Sequence, residues 1–142
     1  RQLKKYILNV EIHNLEVLYD IKLDGLGRWK FQYEEIDNKK FVIYGAGACG
    51  QALYNQIYFS GKSSQIIAWV DKEFAKKEKE CLCHIDAPIV LTSLEYDYII
   101  IAVKDERVAK QIEKELIEIW KIDRRKIIWK EVEYLSVFDV IF

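Results

Sequence analysis

The amino-acid sequence predicts a three-layer α/β domain, in which helices cover both faces of a short parallel sheet. Continuous apolar runs recur along the chain, as is typical of strands that are buried on both faces. Segments with apolar residues at helical spacing separate several of these runs. Right-handed crossovers between such elements produce parallel strands, and we expect five strands in the spatial order 3-2-1-4-5.

Length and composition agree with one globular domain. The chain has 142 residues, of which 51% are apolar and 32% charged, and this excludes disordered and low-complexity classes. A net charge of -1 means that the chain lacks the excess of positive charge that is typical of nucleic-acid-binding proteins. The apolar runs are too short for a membrane span or a signal peptide. The three cysteines are an odd number and lack the spacing of a disulfide framework, which indicates a reduced, cytoplasmic setting. Because the chain lacks Met and starts at Arg1, we expect it to be part of a longer polypeptide.

The first half of the predicted sheet contains two strands around one helix. The first strand is predicted at residues 40–44, before a glycine-rich turn and a helix that ends near Gly61. The second strand is predicted at residues 66–70 and ends at Asp71. The charged segment 72–80 mixes both signs and is predicted to be a solvated loop.

Three further strands and a second helix are predicted downstream. Residues 88–91 form a short apolar run, residues 98–103 the strongest strand pattern, and residues 126–129 a last strand. The helix between the last two strands is amphipathic. Its predicted apolar face consists of Val108, Ile112, Leu116 and Ile119.

The chain is predicted to contain an N-terminal extension at 1–38, the α/β domain at 39–130 and an apolar tail at 131–142. Alternating residues on both sides of a glycine turn near Gly25 indicate a β-hairpin in the extension, although a helix also fits its first half. The tail is expected to pack on this domain or on one just beyond it.

A glycine motif follows the first predicted strand and opens the first predicted helix. Gly45, Gly47 and Gly50 have the spacing G-x-G-x-x-G. The first glycine permits a tight turn, the second lets a pyrophosphate approach the backbone, and the third lets the helix pack closely on the strand. The helix N-terminus offers free N–H groups and partial positive charge to an anion. The alternative interpretation is a loop that only shapes the turn and binds nothing.

An acidic residue completes this pattern. Asp71 ends the second strand 21 residues after Gly50, where a carboxylate can accept hydrogen bonds from a ribose. It favours NAD over NADP because it repels a 2′-phosphate, and Lys72 would partly offset that repulsion. Its alternative role is to cap the helical turn that follows. The full set of candidate binding residues is Gly45, Ala46, Gly47, Ala48, Cys49, Gly50, Asp71, Lys72, Ala102 and Val103.

Several segments carry a resemblance to a known family. They lie at residues 31–36, 40–47, 68–72, 97–103 and 126–129. They resemble the Rossmann-like modules attached to bacterial capsule and cell-surface polysaccharide enzymes, which accompany nucleotide-sugar epimerase/dehydratase domains, glycosyltransferases and methyltransferases. The resemblance implies binding of NAD(P) or a nucleotide-sugar, and it implies no catalytic residue in this chain.

These observations predict a nucleotide-binding module of a larger bacterial polysaccharide or nucleotide-sugar metabolism protein. The expected ligand is NAD(H), with a nucleotide-sugar as the alternative. Expected partners are the nucleotide and other domains of the same chain, with a homodimer left open. The competing hypothesis is a non-catalytic interaction or regulatory domain with a vestigial glycine loop.

Two short motifs have weaker chemical meaning. Tyr58 and Lys62 have the Tyr-x-x-x-Lys spacing of short-chain dehydrogenases, but they end the first helix, so we interpret the match as coincidence and leave enzymatic activity open. Cys81, Cys83 and His84 lack a second ligand pair, so we expect a metal-free loop. Cys49 at the helix start could form a stabilised thiolate, but a packing role beneath the loop is favoured.

Overall fold

A computed structural model describes residues 27–31, 36–81 and 83–136. Its contacts divide the chain into two units, one formed by Gln32–Glu131 and the other by Arg1–Phe31 with Val132–Phe142. No helix of the described residues is long and apolar enough to cross a membrane. In chain order the elements are β1 (Gly27–Lys30), β2 (Phe41–Tyr44), α1 (Ala48–Phe59), β3 (Ile66–Val70), α2 (Phe74–Cys81), β4 (Tyr98–Ile101), α3 (Glu106–Glu118), β5 (Ile127–Ile128) and β6 (Glu133–Ser136).

The larger unit contains a parallel sheet in the order β3-β2-β4-β5. Ile43 at the centre of β2 is opposite Trp69 on one side and Ile100 on the other. These registers bring the carboxyl ends of β2, β3 and β4 to the same edge of the sheet. The prediction of an α/β domain with a short parallel sheet is therefore confirmed.

The predicted strand order 3-2-1-4-5 is wrong, because the sheet has four strands in the order 2-1-3-4 when they are counted along the chain. The run at residues 88–91, predicted to be the third strand, belongs to a 3₁₀ helix at Pro88–Thr92. Pro88 starts this helix, where its missing N–H and fixed φ are tolerated. Besides its pairing with β2, β3 makes only a single isolated parallel bridge within the described residues, between Val70 and Asp86.

Helices pack on both faces of the sheet. Tyr44 of β2 belongs to one core cluster together with Ile112 and Leu116 of α3. Trp69 of β3 points to the other face, where its ring stacks on Tyr54 of α1 with centroids 4.6 Å apart. Continuous apolar strands are thus explained by burial on both sides.

Two sequence predictions about helices need correction. The segment 72–80, predicted to be a solvated loop, contains most of α2, which has no buried residue and is rich in good helix formers. The predicted apolar face of α3 is displaced, because Val108 and Ile119 are exposed and Ala109 is buried instead. Its remaining members, Ile112 and Leu116, are buried as predicted.

The smaller unit contains one antiparallel pair, β1 with β6, in which Trp29 is opposite Tyr134. The first strand of the predicted hairpin, at 15–23, lies outside the described residues, as does the end of the tail at 137–142. The domain boundaries at 38/39 and 130/131 stay predictions.

Candidate functional site

The glycine loop lies at the carboxyl edge of the parallel sheet. It joins β2 to α1, with β3 on one side of β2 and β4 on the other. The chain runs from β2 to β3 in one direction and then crosses to β4 in the other, so the loop is located where the direction of winding reverses. In open α/β sheets this crevice is the usual place for a ligand.

Two glycines of the motif are required by close approach. Gly45 has φ +117°, and a Cβ there would lie 2.9 Å from the carbonyl oxygen of Ala102. A Cβ on Gly50 would collide with the carbonyl oxygen of Gly45. The start of α1 therefore lies directly against the loop, and the loop lies directly against the end of β4.

Gly47 differs from the other two glycines. It is the N-cap of α1 with extended backbone, φ -80° and ψ -163°, a conformation open to any residue. Apart from Gly47 and its two chain neighbours, no atom of the described residues lies within 4 Å of the position that its Cβ would occupy. The side of the loop at Gly47 is therefore open to an approaching group.

The first turn of α1 offers unpaired donors at this open side. The helix has no side-chain cap and no acidic residue in its first turn. Its first hydrogen bond runs from the N–H of Gln51 to the carbonyl of Gly47 at 2.9 Å. The N–H groups before Gln51 have no intrahelical acceptor and carry the positive end of the helix dipole.

The backbone of the loop is braced from several directions. The indole N–H of Trp69 donates to the carbonyl of Gly45 at 2.7 Å in a buried bond. The N–H of Ala46 donates to Oδ2 of Asp71 at 2.8 Å. The carbonyl of Ala46 accepts from Nε2 of Gln51 at 3.0 Å and from the thiol of Cys81 at 3.5 Å. These four side chains fix the loop before any ligand arrives.

The carboxylate of Asp71 accepts two hydrogen bonds from the residues that the structure describes. Besides the loop N–H, its Oδ1 accepts from the backbone N–H of Glu73 at 2.8 Å. This is the capping contact that was the alternative role for Asp71. An ionised carboxylate has about four lone-pair sites, so two contacts leave capacity for a ligand hydroxyl. Lys72 is directed to α3, where its Nζ lies 2.9 Å from Oε1 of Glu115.

Cys49 is buried, and burial raises the pKa of its thiol to about 11, while Lys104 acts in the opposite direction. The thiol is therefore neutral near pH 7, which argues against a stabilised thiolate, and its packing beneath the loop stays a prediction. The exposed Lys104, which follows β4, acts to lower the pKa of this thiol at the start of α1.

Ala102 and Val103 border the crevice on the β4 side. The N–H of Ala102 donates to the carbonyl of Tyr44 at 2.8 Å, which continues the pairing of β2 with β4. The carbonyl of Val103 accepts from the indole N–H of Trp129 at 2.9 Å. The predicted site residues thus come together at one edge, and only the side chain of Lys72 is held elsewhere, by Glu115.

Sequence reasoning missed the residues that brace the loop. Trp69, Gln51 and Cys81 were not among the candidate binding residues. The parallel register was the one signal that could have found Trp69, because it places this residue opposite Ile43, two residues before Gly45.

The weaker motifs also have defined surroundings. Lys62 forms an ion pair with Asp37 at 3.1 Å. His84 lies between Glu78, at 2.9 Å from its Nδ1, and Asp86, at 2.7 Å from its Nε2. Among the residues that the structure describes, no group of three or more His, Cys, Asp or Glu side chains could hold a metal ion.

Comparison with known proteins corrects the family expected from the sequence. No curated protein matches the chain. Residues 37–128, more than half of the chain, match the family described as C2185-like, N-terminal. That is not the Rossmann-like family of polysaccharide enzymes that the sequence resembled, so that assignment was wrong. The chain belongs to the C2185-like, N-terminal family.

Proposed function

We propose that the unit Gln32–Glu131 is a nucleotide-binding module whose ligand is NAD(H), with the pyrophosphate at the N-terminus of α1. The observation that carries this proposal is the open side of Gly47, beside which the first-turn N–H groups of α1 lack acceptors among the described residues. A pyrophosphate needs close approach to the backbone and donors directed at its oxygens. Both are present at one place.

Local charge supports the same ligand class. The first turn of α1 contains no acidic side chain, and the charge of Lys104 acts to lower the pKa of the Cys49 thiol in that turn. The helix dipole adds partial positive charge at this end. An anion at the loop would therefore meet favourable charge from two independent sources.

The selection of NAD(H) over NADP(H) rests on Asp71. Its carboxylate is held at the edge of the crevice by the N–H groups of Ala46 and Glu73. A fixed negative charge there repels a 2′-phosphate, and Lys72 offsets it little because it is paired with Glu115. A nucleotide-sugar shares the pyrophosphate and the ribose, so it is the alternative ligand for the same site.

A second candidate function is an interaction domain with an unoccupied loop. It is favoured by aromatic side chains at the end of α1, where Tyr58 is 53% and Phe59 41% exposed. Tyr58 stacks on Tyr54, which itself stacks on Trp69. Exposed aromatic rings on a rigid support are typical of protein contacts.

Titration of the whole chain with NADH, NADPH and UDP-glucose separates these functions. The proposal predicts heat of binding and a raised melting temperature with NADH, because a ligand that binds only the folded state stabilises it. NADPH should bind more weakly. Tighter binding of UDP-glucose than of NADH would replace the dinucleotide with a nucleotide-sugar. If none of the three ligands binds at millimolar concentration, the nucleotide-binding function is excluded and the interaction domain remains as the candidate function.

A further inference from the structure

Tyr44 is the last residue of β2 and directly precedes the glycine loop. Its side chain is only 3% exposed. Its hydroxyl nevertheless has no hydrogen-bond partner among the described residues. The comparable hydroxyl of Tyr96, which is also buried, donates to the carbonyl of Leu91 at 3.1 Å. A buried hydroxyl without a partner is unfavourable and calls for an explanation.

Tyr44 ends β2 opposite Val70, the last residue of β3, and Asp71 follows Val70 directly. Tyr44 packs in one cluster with Ile112 and Leu116, which are neighbours of Glu115 on α3. Glu115 is tied to Lys72 at the end of β3 through contacts of 2.9 and 3.2 Å. Burial, followed by the negative charges of Glu115 and Asp71, raises the pKa of Tyr44. The hydroxyl therefore keeps its proton and remains a donor.

The side chains of Tyr44, Asp71 and Glu115 differ in the hydrogen bonds that they can form with a ligand. The carboxylates of Asp71 and Glu115 only accept hydrogen bonds, whereas the Tyr44 hydroxyl both donates and accepts. Internal contacts use part of each carboxylate: two backbone N–H groups for Asp71, and one ammonium for Glu115. The remaining acceptors, next to one hydroxyl, suit a ligand that carries adjacent hydroxyl groups.

We propose that Tyr44, Asp71 and Glu115 form a subsite for the ribose diol of the bound nucleotide, in which the Tyr44 hydroxyl contacts one of the two ribose hydroxyls. This inference rests on the proposed function, since the ribose is carried in by the nucleotide. The positions agree with the covalent structure of a nucleotide, in which ribose is attached to phosphate. Tyr44 is three residues before Gly47, and Asp71 is hydrogen-bonded to the loop between them.

The test compares ADP with 2′,3′-dideoxy-ADP on the wild-type chain and on Tyr44→Phe. The two ligands differ only in the diol, and the substitution removes only the hydroxyl. Wild type should bind ADP about tenfold more tightly than the dideoxy ligand, the value of one or two neutral hydrogen bonds. In Tyr44→Phe this preference should fall to about twofold. Its melting temperature should not decrease, because no protein partner is lost.

Tyr96→Phe is the matched control. It removes a hydroxyl that has a protein acceptor, so its melting temperature should fall while its preference for ADP stays at the wild-type value. Three results would overturn the ribose subsite: equal binding of the two ligands by wild type, an unchanged preference in Tyr44→Phe, or NADH binding without ADP binding. If neither NADH nor ADP binds wild type, the proposed function itself fails, and the subsite fails with it.

Discussion

The backbone N–H of Ala46 donates to Oδ2 of Asp71 at 2.8 Å, across 25 residues of sequence. This bond joins the glycine loop after β2 to the end of β3. The same carboxylate holds the N–H of Glu73 through its other oxygen, so it also fixes the turn that leads into α2. Asp71 thus positions the loop, and in the proposed function it also contacts the ribose.

Asp71→Asn should reduce both stability and affinity. An asparagine has one acceptor oxygen, so one of the two N–H groups that now meet a carboxylate oxygen would face an NH₂ group. We expect a loss of about 1–3 kcal/mol in the free energy of unfolding, measured by urea denaturation. We also expect NADH binding to weaken by about 1–3 kcal/mol and the gap to NADPH to narrow.

Asp105→Asn provides the control for this substitution. Asp105 caps α3 by accepting one backbone N–H, from Arg107 at 2.8 Å, and asparagine caps helices about as well. Its unfolding free energy and NADH affinity should stay close to wild type. Equal behaviour of the two variants would mean that Asp71 is only a cap.

Trp69→Phe should destabilise the loop. The phenyl ring retains most of the stacking on Tyr54, but the carbonyl of Gly45 loses a buried donor at 2.7 Å. An unsatisfied buried acceptor costs about 1–3 kcal/mol, which urea denaturation can measure. Trp129→Phe removes a similar bond, to Val103, at a part-buried position and should cost less. A larger loss in Trp129→Phe than in Trp69→Phe would contradict this account.

The stability of the protein should depend on pH through His84. Hydrogen bonds with Glu78 and then Asp86 raise the pKa of His84 above its ordinary value of 6.5. A pKa that is raised in the folded state gives stability that is fully present below the unfolded value and is lost as pH rises through the folded one. Above that value one ring nitrogen becomes an acceptor that faces a carboxylate.

Melting temperatures measured between pH 5.5 and pH 8.5 test this relation (a range of about one to two units on each side of an ordinary histidine pKa). As the pH rises and His84 loses its proton, the melting temperature of the wild type should fall relative to that of His84→Gln. The effect is small, because His84 is exposed to solvent. Parallel curves for the two proteins would show that the carboxylates do not bind the protonated ring.

The sequence pattern correctly predicted the second strand of the sheet and the glycine turn between β2 and α1. The second strand of the sheet was predicted at residues 66–70 and is found there, with Ala68, Trp69 and Val70 buried. The turn from β2 into α1 follows from glycines that the close contacts of Gly45 and Gly50 demand. The contact that demands Gly50 is local, because it involves Gly45, whereas the contact that demands Gly45 involves the distant Ala102.

Other elements failed because their patterns were ambiguous. The apolar run that begins at Pro88 indicated a strand, yet it is apolar because Pro88 and Leu91 of a 3₁₀ helix are buried. The charged segment before Cys81 indicated a loop, because it is dominated by charged residues and α2 buries none of its residues. The contacts of Trp69 and Asp71 with the loop join residues that only the tertiary fold brings together.

Gly47→Val and Gly50→Ala separate ligand approach from folding. A side chain at Gly47 enters open space, so Gly47→Val should cost only about 1 kcal/mol as a poorer N-cap. A methyl at Gly50 collides with the Gly45 carbonyl, so Gly50→Ala should cost about 1–3 kcal/mol or more through overpacking. Thermal unfolding followed by circular dichroism gives both values.

Calorimetric titration of NADH into wild type and Gly47→Val tests the central claim most directly. If the pyrophosphate lies at the open side of Gly47, the branched side chain occupies its place. Affinity should then fall about 100-fold or more, which corresponds to about 2.7 kcal/mol, while the fold is retained. Equal NADH affinity in the two proteins, or no binding to wild type at millimolar concentration, would contradict the account.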